Sequence, residues 1–142
     1  MFRASTRVLV MLPFCVGPIS GCGPAEEKMV PVEGTVRFES KPLAKGVVIL
    51  YPDGSKGNAT AHEPRGTIDA SGRFQIHTHP RVGAPPGWYA VAVVATEPVD
   101  PNNPYSLTRS LIPEKFGKKG ESGLFVEVRD KPAPGDYDLD LK

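Results

Sequence analysis

Three sets of side chains in this sequence have the type and spacing to do chemistry. His77 and His79 stand two residues apart, so on a β-strand both imidazoles share a face and can reach one metal ion, with His62 as a third ligand. Against that, Phe74 and Ile76 take the alternate positions, which describes a wet strand face backed by a buried one. No carboxylate stands where it would orient either imidazole. The expectation is no metal and no cofactor, with His77 and His79 as the candidates to check. Asp136, Asp138 and Asp140 also repeat every second residue, but a helix-loop-helix calcium loop needs glycine at its sixth position and this stretch has Leu141. Alternation with Tyr137, Leu139 and Leu141 fits an outward strand face instead. No serine lies in a G-x-S-x-G elbow. Trp88 and Tyr89 form the last set. Neighbours on a strand face opposite ways, so one ring completes the core while the other, beside Pro85-Pro86, can stack on a sugar or peptide.

The two cysteines fall early. Arg3 and Arg7 precede an apolar run from Val8 to Val16, and Ile19-Ser20-Gly21 leads directly into Cys22. The run is too short to span a bilayer. This order resembles a bacterial lipoprotein signal with its lipobox, which implies removal of residues 1–21 and a diacylglyceryl thioether on Cys22, usually with an acylated (palmitate-type) amino terminus. Several acyl chains anchor firmly where one binds marginally. Removing 21 of 142 residues leaves 121, the size of one domain. Arg3, Arg7 and Cys15 leave too, so 15 basic residues face 16 acidic ones and Cys22 is the only thiol. That balance argues against nucleic acid as a partner, and one thiol excludes an internal disulfide. Residues 22–29 read as the lipidated cysteine and a tether, and residues 30–142 as the domain. A residue other than Asp at Gly23 leans towards the outer membrane where that sorting rule applies.

Fifteen glycines and sixteen prolines are scattered rather than clustered, which suits short strands joined by turns. Val30, Val32, Val36 and Phe38 alternate with polar residues, and Gly34 on the apolar face predicts a bulge or a close approach of another backbone. Val47–Tyr51 and Trp88–Thr96 are apolar on both faces and read as central strands. Residues 66–69 and 73–78 form a hairpin around Ala70-Ser71-Gly72, residues 98–104 an excursion, and 124–129 and 137–141 the last strands. Seven strands without a helix predict an all-β fold, a seven-strand antiparallel Greek-key β-sandwich.

Val32-Glu33-Gly34-Thr35-Val36, Lys41-Pro42-Leu43-Ala44-Lys45-Gly46-Val47-Val48-Ile49 and Thr67-Ile68-Asp69-Ala70-Ser71-Gly72-Arg73-Phe74 are similar to carboxypeptidase regulatory-like domains. With Gly83-Ala84-Pro85-Pro86-Gly87-Trp88-Tyr89-Ala90-Val91 and Leu111-Ile112-Pro113-Glu114-Lys115-Phe116, the pattern resembles small bacterial lipoproteins built on that domain. The resemblance spans about Val30 to Leu141. It implies a transthyretin-like (prealbumin-like) sandwich and a surface location, but no reaction, since fold and function separate freely. Transthyretin-like hydroxyisourate hydrolases end in Tyr-Arg-Gly-Ser, where this chain has Asp140-Leu141-Lys142. Lys–Asn isopeptide bonds occur in related adhesins, with Lys41 or Lys45 and Asn58 as the pair to consider here.

Taken together, the sequence predicts a non-enzymatic, lipid-anchored module on the cell membrane or outer membrane, facing the periplasm or cell exterior. Its role is structural or binding. The alternative is a carbohydrate- or peptide-binding module using Trp88 and Tyr89, and a metal-dependent hydrolase on His77 and His79 is third. The partners implied are the membrane, through the lipid, and an envelope protein or glycan.

Overall fold

In the computed structural model, which describes Gly21, Gly23 and residues 26–142, the alternation that begins at Val30 becomes strand β1 (Glu33–Phe38). The expected leader over residues 1–21, Gly21 aside, and the expected lipidation site Cys22 lie outside the described residues. Val30, Val32 and Val36 are buried and the polar residues between them are not, as period-two burial requires. After a tight turn through Glu39 and Ser40 come β2 (Lys41–Pro42) and β3 (Gly46–Pro52). The expected hairpin is β4 (Arg65–Ile68) with β5 (Arg73–Gln75), and the chain continues as β6 (His77–Thr78) and β7 (Arg81–Val82). The long apolar strand is β8 (Gly87–Val94). The excursion is a hairpin arm of β9 (Thr96–Pro98) and β10 (Thr108–Ser110), and β11 (Leu124–Val128) and β12 (Leu139–Leu141) complete the set.

These strands make a mostly antiparallel sheet, curled like half a barrel, in the order β11-β8-β3-β4-β5-β1-β12; β9 and β10 stand apart as a two-stranded ribbon. Among the described residues there is no α-helix, only 3₁₀ turns at Gly54–Lys56 and Glu114–Gly117, and none is long and apolar enough to cross a membrane. Three details depart from the sequence expectation. The described residues form twelve strands rather than seven, because turns and breaks divide the expected segments into short pieces. The expected strand from Arg73 to Thr78 breaks at Ile76, whose amide leaves the hairpin and donates to the Val32 carbonyl (2.8 Å). And β12 pairs parallel to β1, Leu139 beside Val36 and Leu141 beside Phe38, because the chain returns to the β1 edge running in the same direction.

One core fills the curl. Tyr89, Val91 and Val93 of β8, Val48 and Leu50 of β3, Val126 and Val128 of β11, and Tyr137, Leu139 and Leu141 all point into it. The close approach expected at Gly34 is real: a Cβ there would lie 2.8 Å from the Tyr137 carbonyl carbon and 3.1 Å from a Phe74 ring carbon. The strand order also sets two ends. Residues 26–31, the loop at 53–64 and the loop after β11 share one end with Trp88, through Val30 against Ala84, Lys28 against Asp130 (2.8 Å) and the Asp53 amide on the Trp88 carbonyl (2.9 Å). The turns at 39–45 and 69–72 and the arm share the other.

The hairpin turn is written by Asp69. Its carboxylate accepts from the Ser71 hydroxyl (2.6 Å), the Ser71 amide (2.9 Å) and the Arg73 amide (3.0 Å), while Gly72 adopts φ +85°. Those bonds, the Ser71 hydroxyl foremost, hold its acid below the ordinary 3.8. A carboxyl depressed in the folded state stabilises above its unfolded value and loses that contribution as pH falls through the native one. Asp69→Asn should therefore lower the urea midpoint at pH 7 and flatten its decline below pH 3.8, read from unfolding curves between pH 2.5 and 7. Gly34→Ala should cost about 1–3 kcal/mol by driving a methyl group into the Tyr137 backbone. An unchanged urea midpoint would refute that packing.

Candidate functional site

The residues expected to do chemistry sit apart from one another. His77 lies on β6 directly across from Arg65 of β4, exposed, beside a shallow depression shared with Val47, Thr67 and Gln75. His79 is exposed in the turn that follows, and His62 faces Glu27 at 3.7 Å. No three His, Cys, Asp or Glu side chains among the described residues gather closely enough to hold a metal ion, so the third ligand expected from His62 is not brought to the pair. The three aspartates are each engaged separately. Asp138 accepts from the Thr35 amide and hydroxyl (both 2.9 Å), while Asp136 accepts from the Ala133 amide (2.8 Å) and pairs with Arg129 (2.9 Å). Those bonds hold the Asp136 carboxyl below its usual range, the Ala133 amide contributing most. Asp140 pairs with Lys142 at 3.1 Å. The proposed Lys–Asn partners are also separated: Asn58 lies at the Trp88 end and Lys41 and Lys45 at the other.

Trp88 and Tyr89 divide as adjacent strand residues must. Tyr89 is the core ring, its hydroxyl donating to the Pro85 carbonyl (2.7 Å), and burial pushes the phenol above its usual 10.0, so it remains a neutral donor. Trp88 is the outward, half-exposed ring. Its neighbours complete a site that the sequence did not announce. Phe125 of β11 and Tyr51 of β3 both pair with Ala90 of β8, from opposite sides, so the two rings flank a small residue on the outward face. Phe125 is 48% exposed. Ala92 and Ile49 extend the face, and Val94 with Val47 close it. Glu127, across from Trp88, borders it.

Two loops bring lysines onto these rings. Asp53 caps the turn that carries Lys56, accepting from the Ser55 amide (3.1 Å), and Gly57 closes it at φ +82°. Buried Asn58 locks this loop to the strand: its amide donates to the Trp88 carbonyl (2.8 Å) and its carbonyl accepts from the Thr60 amide (3.2 Å). Gly87 makes that possible, since a Cβ there would sit 2.9 Å from the Asn58 side-chain nitrogen. The Lys56 ammonium thus rests 4.1 Å above the Trp88 ring centre and 5.0 Å from that of Phe125. On the other side, Phe116 enters the core and the Ser122 hydroxyl donates to the Val91 carbonyl, fixing the loop that lays Lys119 5.3 Å above Tyr51. Neither lysine has a carboxylate within 4.0 Å among the described residues. Lys118, next along the chain, does: it pairs with Glu121 at 3.7 Å.

The arm presents a second exposed surface. Val99 and Leu107 face each other across it, the Val99 amide donating to the Leu107 carbonyl (2.8 Å), and with Tyr105 they are 62%, 83% and 93% exposed. Side-chain caps from Asp100 and Asn103 order the tip that holds them. At the other end, the segment expected to be a tether up to Met29 lies against the domain from Glu26 onward. Arg81 bonds the Glu27 carbonyl (2.7 Å) and reaches Glu26 (3.4 Å).

The chain matches no known family model, no curated protein and no solved structure.

Lys56→Met should cost about 0.5–1 kcal/mol, the usual worth of an exposed cation–π contact. It should also raise acrylamide quenching of Trp88, the only tryptophan, by uncovering its face. Quenching identical to the parent would mean that Lys56 does not cover the ring. Tyr105→Ser with Leu107→Ser should leave the unfolding midpoint within about 0.5 kcal/mol per site, because neither side chain belongs to the core.

Proposed function

We propose that this protein is a lipid-anchored, non-catalytic binding module of the cell envelope, built on a transthyretin-like β-sandwich and held to the membrane through Cys22. Its working surface is the outward face of Trp88, Phe125 and Tyr51. One observation carries this reading: three partly exposed rings stand on adjoining strands of the sheet, each under a lysine with no carboxylate within 4.0 Å among the described residues. An apolar platform with convergent polar groups is what a binding surface requires. The mostly β, curled sheet supports the sandwich, and the engagement of Asp136, Asp138 and Asp140 in local bonds supports a scaffold rather than a catalyst.

The contacts at Glu26 to Lys28 add geometry to the anchor. With residues from Glu26 onward laid against the domain, only Gly23-Pro24-Ala25 separate it from the lipidated cysteine, and the arm projects from the end away from the bilayer. A second reading, docking of an envelope protein, rests on the exposure of Tyr105 and Leu107 at that far end.

In the full chain expressed in a bacterium, Cys22→Ser should move the protein from the membrane fraction to the soluble fraction. The Trp88 emission spectrum and the urea midpoint should stay unchanged, because the anchor is outside the core. Mass spectrometry of the parent amino terminus should show residues 1–21 removed and acyl chains present. An intact leader without fatty acid would overturn the anchor.

A further inference from the structure

We propose that the Trp88–Phe125–Tyr51 face binds an acidic saccharide, its sugar rings stacked on the aromatic side chains and its carboxylates taken by Lys56 and Lys119. The proposal rests on the reading of this face as the working surface and names its ligand. The aromatic rings set the first requirement. Phe125 and Tyr51 flank Ala90 on neighbouring strands, so their strands lie two inter-strand spacings apart, roughly 10 Å. Ala90 and Ala92 on the same face are buried, so a ligand meets the rings themselves. Partly exposed rings at this spacing suit the C–H faces of two adjoining sugars, which pack on electron-rich π-systems. A helical peptide would need a groove deep enough for its apolar stripe, and an extended strand would need an unpaired backbone edge. The unpaired edge here is that of β11, whereas Trp88, Tyr51 and the two lysines lie on the face of the sheet over β8 and β3, and that face offers no deep groove.

The lysines set the second requirement. Arg109, Arg129, Lys28 and Lys118 all meet carboxylates, whereas Lys56, Lys119 and Lys115 are laid on rings with none within 4.0 Å among the described residues; the ring under Lys115, Phe116, is buried, while Trp88 and Tyr51 are partly exposed. Each is placed by a fixed loop: one is pinned by Asn58 to the Trp88 carbonyl, the other by Ser122 to the Val91 carbonyl. A bare ammonium on an aromatic face is an exchangeable cap. An incoming carboxylate offers it a stronger, charge-assisted hydrogen bond, and its departure uncovers the ring on which the sugar stacks. Charge and stacking therefore cooperate for an acidic saccharide, while a neutral one must displace the lysines without compensation. Glu127 and Asp53 border the site, so the ligand carboxylates are directed towards the lysines and away from those two edges.

Titration of the detergent-solubilised full chain with oligogalacturonate, oligomannuronate and a neutral cello-oligosaccharide, followed by Trp88 fluorescence and calorimetry, tests this. The acidic oligosaccharides should bind, and more weakly as salt rises. Trp88→Ala and the Lys56→Met, Lys119→Met double variant should each lose about tenfold or more in affinity, as the loss of one charge-assisted contact predicts. Both should keep the parent urea midpoint within the small cost of their surface contacts. Equal binding of the neutral oligosaccharide, lost in Trp88→Ala but kept in the lysine variant, would overturn the acidic ligand while leaving the face as the working surface. No binding of any of the three at millimolar concentration would overturn the saccharide. Membrane fractionation of Cys22→Ser reports on the anchor independently of either result.

Discussion

Strand β8 is apolar on both faces, and the rest of the molecule is arranged around that fact. Its inward side chains, Tyr89, Val91 and Val93, are the centre of the core. Its outward side chains cannot be left to water either, so β3 and β11 flank it and two loops are drawn over it. The outward aromatic face is a consequence of the same constraint. A strand with one polar face would need no Tyr51 or Phe125 beside Ala90, and no loop bringing Lys56 or Lys119 above them. Burial on the two sides differs in kind. The inner side is closely packed, while the outer side is covered unevenly: Ala90 and Ala92 are buried, Trp88 is half-exposed and Val94 is 38% exposed.

The ordering of the loops follows from hydrogen bonds made to β8 itself. Asn58 reaches the Trp88 carbonyl and Ser122 the Val91 carbonyl, and both are among the few buried polar side chains. Buried polar atoms are tolerated only when they are paired, and these two are paired to backbone that must also be satisfied. The same bonds that relieve their burial fix the positions of the lysines. The stability of the loops and the placement of the lysines are thus served by one set of contacts. The exposed ion pairs, such as Lys28 with Asp130, contribute little to folding by comparison.

The end that holds Glu26 to Met29 and the end that holds the arm are ordered by different contacts. Glu26 to Met29 hold the entering chain against Arg81, Asp130 and Ala84, so the expected tether is shorter than charge and composition alone imply. Polar composition signals a segment without a core of its own, but it is silent on whether a neighbouring loop will bind it. Arg81 comes from a turn fifty residues away, and only the fold brings it there. The same is true of the arm: Pro and Asn in residues 98–104 predict an excursion, and the pairing of Val99 with Leu107 that makes it a ribbon depends on both halves together.

What the sequence determined alone was local. Alternation in β1 and β12, the two-faced apolar run of β8 and the Asp69–Gly72 turn are set by residues one to four apart and by the fixed geometry of the strand, so they are legible without a structure; at Gly34 the sequence left a bulge or a close approach open, and the fold supplies Tyr137 and Phe74. The division of Trp88 and Tyr89 to opposite faces was legible too, but which ring goes inward was not, because that depends on which face of β8 the sheet curls around. The site itself was decided by tertiary structure. Trp88, Phe125, Tyr51, Lys56 and Lys119 come from strands and loops some seventy residues apart in sequence at the extremes, and only strand order places them together. His62, similar in kind to His77 and His79 and closer in sequence, is not gathered with them into a three-ligand group for the same reason: spacing sets which face a side chain takes, while pairing across strands sets what it meets.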